Sequence, residues 1–121
     1  MSSPKLTVYT YARCSTCRNA VKWLRSQEIQ FVEKPIRETP PTERELRRML
    51  ALQEGQIRRL FNTSGEDYRA MNLAAKLAAM TEEKALALLA GNGRLIRRPF
   101  VLGRHVGLVG FKVDAWATSL R

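Results

Sequence analysis

The two cysteines of this 121-residue chain, Cys14 and Cys17, are spaced C-x-x-C. They fall where a short apolar strand is predicted to end and a helix to begin. The first turn of a helix offers unpaired backbone N–H groups and a partial positive charge, and both favour a thiolate over a thiol. Arg13 and Arg18 flank the motif and act in the same direction. We therefore predict that the pKa of Cys14 lies below the free value of about 8.5 and that Cys14 is a nucleophile.

The same N–H groups could cradle an oxyanion beside Cys14. Cys17 follows one turn later, close enough to form a disulfide with Cys14 and so resolve an adduct formed there. Two other interpretations remain open. The cysteines could be inert, or they could help to bind zinc, although a structural zinc site needs four ligands and His105 is the only histidine, so a second chain would have to complete it. A C-x-x-C beside a β-α-β pattern favours thioredoxin-like redox chemistry.

The elements that position the cysteines are predicted from hydrophobic periodicity. Lys5–Thr10 is a β-rich run typical of a strand. A helix over about Cys14–Gln27 carries an apolar stripe, with Cys17 on its buried side and Cys14 at its exposed tip. Glu28–Glu33 alternates polar and apolar residues, which predicts a second strand. Together these elements give a parallel β-α-β unit with a right-handed crossover.

A helical block is predicted over residues 42–90. Glu45 completes a capping-box sequence at the start of its first helix, and Gly55 is expected to end or bend that helix. Leu73–Met80 is alanine-rich and predicted to be helical. Three residues are candidate helix caps within the block: Thr42, Ser64 and Thr81.

Sheet signals return near Leu95-Ile96 and after Pro99. A proline at the start of an apolar strand lacks the N–H for a central ladder, so the Arg98–Pro99 bond is predicted to be cis and to close a tight turn. The remaining predicted elements are a hairpin turn at Gly103–His105, a strand over Val106–Val109 and a helix over Asp114–Leu120.

The element order β-α-β, helical block, β-β-α predicts an α/β fold, a thioredoxin/glutaredoxin-like sheet with an all-helical insertion at about 42–90. In that fold a proline before the third strand stands beside the redox cysteine, and Pro99 fits this place. We predict a single domain over residues 1–121, with its core in 5–36 and 94–120.

Composition sets limits on compartment and partners. The chain is 45 % hydrophobic, and none of its apolar runs approaches the roughly 20 residues that a membrane span needs. The net charge is +10, but the basic residues are spread along the chain and interleaved with glutamates, as on a solvated face. We therefore expect no direct nucleic-acid binding. Two cysteines in a redox motif, with none left over, favour the reducing cytoplasm.

Three motifs in order resemble one family, that of arsenate reductase C and the Spx regulators (ArsC-like). They are Cys14-x-x-Cys17-Arg18-Asn19-Ala20, Leu60-Phe61-Asn62-Thr63-Ser64-Gly65, and Leu95-Ile96-Arg97-Arg98-Pro99 before a hairpin that ends in Val109-Gly110-Phe111. The resemblance covers about residues 5–120.

The resemblance implies a nucleophilic Cys14 and an oxyanion-binding arginine, Arg98, beside a cis proline. It implies no bound cofactor, with glutathione, glutaredoxin or thioredoxin as the electron donor. The chain departs from the glutaredoxin-coupled arsenate reductases in its second cysteine, and in having Asn62 and Gly110 where they place further arginines. The candidate substrate- or anion-binding residues are Arg13, Ser15, Thr16, Asn62, Arg98 and Pro99.

Two functions are therefore considered. The first is a cytoplasmic thiol-dependent reductase that acts on an arsenate-like oxyanion or a disulfide, with Cys14 as nucleophile and Cys17 as resolving thiol. The second is a Spx-like redox-sensing regulator that binds the C-terminal domain of the RNA polymerase α subunit, with a Cys14–Cys17 disulfide as its switch. Gly55 lies near where those regulators use a glycine for that contact, but a glycine that ends a helix is the preferred explanation.

Overall fold

The first strand is the centre of the fold. In a computed structural model, which describes residues 6–120, a four-stranded sheet has the order β2-β1-β3-β4. Its strands are β1 (Leu6–Thr10), β2 (Phe31–Pro35), β3 (Phe100–Leu102) and β4 (Gly107–Val109). β1 pairs in parallel with β2 and antiparallel with β3, and β3 pairs antiparallel with β4. The predicted first strand is confirmed except for Lys5, which lies outside the described residues.

Alternation along the strands divides the core between the two faces of the sheet. Leu6 and Val8 of β1 join Val101 of β3 in a cluster with Trp116. Tyr9, together with Phe100 and Leu102 of β3, packs into the larger cluster formed with the helical block. Successive side chains of a strand point to opposite faces, so these strands are covered on both sides.

Helix α1 (Ser15–Ser26) crosses from β1 to β2, as predicted. The predicted second strand, Glu28–Glu33, is wrong in its position, because β2 begins only at Phe31. Glu28 has a φ of 57°, and the N–H of Ile29 donates to the carbonyl of Leu24 at 3.1 Å. A left-handed residue of this kind closes a helix end, so the chain cannot be extended there.

The helical block contains α2 (Glu43–Leu52), α3 (Glu66–Ala70), α4 (Leu73–Lys76) and α5 (Glu82–Gly91). Its capping predictions are confirmed at two of three sites. Thr42 and Glu45 form the capping box, and the Thr81 hydroxyl accepts from the N–H of Lys84 at 3.2 Å. Ser64 does not cap α3, because Gly65 takes the N-cap position and makes no side-chain cap.

The segment Leu73–Met80 is less regular than predicted. It consists of α4 followed by a 3₁₀ turn at Leu77–Ala79, and further 3₁₀ turns occupy Ile57–Leu60 and Gly93–Leu95. The strand signal at Leu95-Ile96 corresponds only to an isolated bridge between Ile96 and Phe61. This bridge ties the block to the segment that leads into β3.

The chain returns to the sheet through a cis Arg98–Pro99 bond, as predicted. The hairpin between β3 and β4 closes with a hydrogen bond from the Gly103 N–H to the Val106 carbonyl at 2.8 Å. Helix α6 (Val113–Leu120) then covers the sheet with the buried Trp116. No helix within residues 6–120 is both long and apolar enough to cross a membrane.

Candidate active site

Cys14 is held at the N-cap of α1, directly after the turn that follows β1. Its own N–H donates to the Tyr11 carbonyl at 2.9 Å, and its carbonyl accepts from the N–H of Arg18 at 3.1 Å. Nη1 of Arg18 also donates to the Ala12 carbonyl at 2.8 Å. No acidic residue occupies the first turn of α1, so the positive end of the helix is left uncompensated beside the cysteine.

The pKa values of the two cysteines are shifted in opposite directions. Burial raises the pKa of Cys14, but hydrogen bonds from the backbone N–H and thiol of Cys17, and from the Arg98 guanidinium, outweigh it and leave that pKa below its ordinary value. Burial is the main cause that raises the pKa of Cys17 to about 12, and the neighbouring Cys14 adds to the effect. Cys14 is therefore the thiolate, while Cys17 stays a thiol that donates to it.

The two cysteine side chains also differ in their exposure to solvent. Cys14 is half-buried, whereas Cys17 is only 1 % exposed. The Tyr11 N–H points at the Cys17 sulfur, 3.5 Å away. The two cysteines are not joined in a disulfide in this structure. A substrate can thus reach only the sulfur of Cys14.

A cleft of about 340 Å³ opens over Cys14. It brings together four predicted site residues from distant parts of the chain, namely Cys14, Thr16, Asn62 and Arg98. Pro99 is buried behind the cleft, and Cys17 lies beneath Cys14. Arg13 and Ser15 are exposed and lie outside the lining of the cleft, so the structure does not gather them with the others.

Arg97 also lines this cleft, and sequence reasoning did not select it. Its guanidinium lies against Gly110, where a Cβ added to the glycine would come within 3.1 Å of Nε of Arg97. The side chain of Arg97 therefore uses the room that a side chain at position 110 would need. The available signal was Gly110, which has no side chain of its own to fill this space.

Arg37 is the second residue that sequence reasoning missed. Its guanidinium carbon lies 3.8 Å from the centre of the Tyr11 ring, and that of Arg98 lies 4.9 Å from the same centre. Both are cation–π distances, so Tyr11 holds two cations close together. Arg37 follows Ile36, whose N–H donates to the carbonyl of Thr10 at 2.9 Å. Its position just beyond the paired ends of β1 and β2 was the available signal.

Cys14, its arginines and Cys17 together provide an activated thiolate, positive charge for an anion and a second thiol in contact with the first. A thiolate of lowered pKa in an electropositive, accessible position is typical of a reactive cysteine. The arrangement can attack an electrophilic centre in an anion, or the sulfur of a disulfide.

Most of the chain matches a known protein family. Residues 9–119 match the model of the ArsC family. The Bacillus subtilis protein YusI is 42 % identical over 109 residues, which cover 90 % of this chain and 92 % of YusI. The global transcriptional regulator Spx of Enterococcus faecalis is 31 % identical, over 90 % of this chain and 81 % of that regulator.

Solved structures agree with the family match. An ArsC family related protein from Bacteroides fragilis superimposes with a TM-score of 0.88 at 40 % identity, and covers 93 % of this chain and 95 % of its own. A possible arsenate reductase from Streptococcus mutans gives a TM-score of 0.85 at 33 % identity, over 92 % of this chain and 94 % of that one. The predicted thioredoxin-like α/β fold is thereby confirmed.

Proposed function

Because the chain belongs to the ArsC family, we propose that it is a thiol-dependent reductase in which Cys14 attacks an oxyanion or a disulfide. The observation that carries the proposal is the place of Cys14, which stands half-buried at the N-cap of α1 and lines an accessible cleft together with Arg98. Although burial raises it, the pKa of Cys14 stays below its ordinary value because Cys17 and Arg98 stabilise the thiolate. In an inert buried cysteine, burial without these partners would raise the pKa above its ordinary value.

With an arsenate-like substrate, the Cys14 sulfur forms a bond to arsenic and water leaves. A second thiol then attacks the Cys14 sulfur, and the electron pair of the sulfur–arsenic bond stays on arsenic, which is reduced to arsenite. The second thiol loses its proton to solvent, and a disulfide remains on Cys14. Arg98 and Arg97 compensate the negative charge of the oxyanion during the attack.

With a disulfide substrate, the Cys14 thiolate attacks one sulfur and the other half leaves as a thiolate that takes a proton from water. Cys17 is the resolving thiol in this proposal. Once Cys14 has entered a bond, its negative charge no longer opposes ionisation of Cys17. Cys17 then attacks the Cys14 sulfur, its proton passes to the departing sulfur, and the second half leaves as a thiol. Glutathione, or a dithiol protein such as glutaredoxin or thioredoxin, reduces the resulting disulfide. We place this cycle in the reducing cytoplasm.

The test is the rate of Cys14 alkylation against pH, with arsenate turnover in the presence of glutathione and glutaredoxin measured on the same sample. A midpoint below about 8.5 with arsenate-dependent turnover would support arsenate reduction. A low midpoint without turnover would direct the search to disulfides. A midpoint at the ordinary value would contradict the proposal, and Cys14→Ser serves as the blank for both measurements.

A Spx-like regulator is the second candidate, favoured by the resemblance to Spx and by one surface feature. Gly55 follows α2, is exposed, has a φ of +75°, and has no atom within 4 Å of where a Cβ would stand. Such an open glycine leaves room for a partner's backbone to approach closely. The regulator would bind the C-terminal domain of the RNA polymerase α subunit and respond to a Cys14–Cys17 disulfide.

Binding of that isolated domain to the reduced and the oxidised protein tests this alternative. Gly55→Arg should abolish binding, while Glu54→Arg, which also adds positive charge to the same turn, is the control for charge alone. Absence of binding in both redox states would exclude the regulator.

A further inference from the structure

Resting on the proposed function, we propose that the Cys14 cleft continues into a second binding site, held by Arg37 and Arg94. This site takes the carboxylate of an amino-acid-type thiol compound whose sulfur is presented to Cys14. We therefore assign as the substrate class disulfides of small thiols that carry both an ammonium group and a carboxylate.

The first argument is continuity. A cleft of about 490 Å³ adjoins the one over Cys14, and the two share Asn62, Ser64 and Arg98 in their linings. Arg37 and Arg94 line only the second cleft. A compound with its sulfur at Cys14 can therefore extend past Arg98 toward this pair. A small inorganic oxyanion would fill only the first cleft.

The second argument is that Arg37 is held in place without a carboxylate partner. The Tyr11 ring fixes its guanidinium at 3.8 Å. Its Nε, like that of Arg98, is buried and has no hydrogen-bond partner within residues 6–120. In that part of the chain neither Arg37 nor Arg94 forms an ion pair. An arginine ordered in this way matches the geometry of a carboxylate at little further entropic cost, and the exposed Arg94 lines the same cleft.

The third argument is the sign of the charges. Glu66 and Asp67 line the same cleft as the three arginines, so the site is not uniformly positive. Asp67 accepts from Nδ2 of Asn92 at 2.9 Å, and Glu66 is exposed. A purely anionic ligand would be repelled by these carboxylates. A ligand that carries both an ammonium group and a carboxylate complements both signs.

The chemistry at Cys14 is ordinary exchange. The thiolate forms a disulfide bond with one sulfur of the compound, the original disulfide bond breaks, and the departing thiolate takes a proton from water. Cys17 then displaces the bound half. An external dithiol accepts the oxidation by reducing the Cys14–Cys17 disulfide. Arg37 and Arg94 only bind and orient the compound in this sequence of steps.

Calorimetric titration with S-methylglutathione tests the site without requiring any reaction. Arg37→Gln and Arg94→Gln should each weaken binding about tenfold, which is the effect of one charge-assisted hydrogen bond. Arg104→Gln is the matched control, because it removes the same charge from the exposed hairpin turn at the other end of β3. The dimethyl ester of the probe should bind about tenfold more weakly and should no longer distinguish the variants.

Three results would overturn the second site: no measurable binding, equal binding by the acid and the ester, or an equal loss in Arg104→Gln. A second measurement separates this failure from failure of the reductase. In a Cys17→Ser background, the rate at which Cys14 forms a mixed disulfide with glutathione disulfide is compared with its rate toward uncharged bis(2-hydroxyethyl) disulfide.

The ratio of these two rates should fall about tenfold in Arg37→Gln. A parallel loss of both rates would mean that Arg37 acts through Tyr11 and Arg98 on Cys14, and would refute the site. If neither disulfide reacts while S-methylglutathione still binds in the expected order, disulfide reduction by Cys14 is refuted and the second site stands.

Discussion

At the scale of single residues, Cys14 and Cys17 differ in acidity and access, and the proposed reductase gives them different roles. Cys14→Ser should abolish reductase activity, because no other described thiol reaches the cleft. Cys17→Ser should instead accumulate mixed disulfides on Cys14, which intact mass spectrometry detects. Cys17→Ala is the control for the hydroxyl that serine introduces. Unchanged turnover in Cys17→Ser would show that an external thiol resolves the adduct.

Arg98 is expected to set the acidity of Cys14. Arg98→Ala removes both a hydrogen-bond donor and a positive charge from beside the thiolate, so the pKa of Cys14 should rise. The pH dependence of iodoacetamide alkylation measures this shift. Arg13→Ala should shift the midpoint much less, since Arg13 is exposed outside the cleft. Equal shifts would mean that general positive charge, not Arg98, sustains the thiolate.

Arg97 is expected to select anions rather than to activate sulfur. In Arg97→Ala, the rate of Cys14 alkylation by iodoacetate should fall several-fold relative to that by neutral iodoacetamide, as loss of a nearby charge predicts. Arg97→Lys should keep most of the preference, because it keeps the charge. An unchanged ratio in the alanine variant would remove Arg97 from the anion site.

These residues were not equally predictable from the sequence. Cys14, Cys17 and Arg98 stand in motifs whose spacing places them at one end of the sheet. Arg37 belongs to no motif, and only its stacking on Tyr11 brings it to the site. Arg97 was visible beside Arg98, but alternation along an extended segment leaves the direction of its side chain undetermined until the turn at Gly110 is known.

At the scale of elements, α2 is joined to the sheet through Glu45. One carboxylate oxygen accepts from the Thr42 N–H at 2.9 Å and from the hydroxyl of the buried Tyr9 at 2.8 Å. Glu45→Ala should therefore cost about 1–3 kcal/mol, because it leaves a buried hydroxyl unpaired. Glu43→Ala, which breaks only an exposed pair with Arg47, should cost about 0.5 kcal/mol or less. Urea unfolding compares the two, and equal losses would contradict the role given to Glu45.

Element boundaries were harder to predict than the elements themselves. The capping box at Thr42 and the helix cap at Thr81 were predicted correctly, because side-chain capping depends on residues close together in the sequence. The late start of β2 was missed because a left-handed glutamate at position 28 has no reliable sequence signal. Ser64 had the right chemistry for a cap, but the adjacent Gly65 took that position in the folded chain.

Gly93 is required by a close contact between two chain segments that are far apart in the sequence. A Cβ at this position would overlap the carbonyl oxygen of Ile36, at the exit of β2. The chain therefore needs glycine where the 3₁₀ turn before β3 crosses the segment that carries Arg37. No pattern in the sequence distinguishes this close approach from an ordinary loop glycine.

At the scale of the whole molecule, the acidity of Cys14 couples the redox site to stability. Its pKa is lowered on folding, so between that folded value and about 8.5 the unfolded chain binds more protons and stability rises with pH. Cys17 has the opposite sign, because its raised pKa makes the fold lose stability as pH increases from about 8.5 toward about 12.

Urea unfolding of the reduced protein across this range tests the coupling. The increase of stability below about pH 8.5 should be present in the wild-type protein and absent in Cys14→Ser. His105→Gln, which replaces the single histidine of the sequence, serves as a control that should keep the increase. An identical pH dependence in the Cys14 and wild-type proteins would contradict a stabilised thiolate.

The burial of Cys17 has a further consequence for survival under oxidative stress. Peroxide would first convert Cys14 to a sulfenic acid, which a second and third equivalent carry irreversibly to sulfinic and sulfonic acids. Cys17 lies in contact with Cys14 but is itself shielded, so it can condense with the sulfenic acid before more peroxide arrives. External thiols would then reduce the Cys14–Cys17 disulfide, so exposure to peroxide that destroys a lone reactive cysteine would leave this site recoverable.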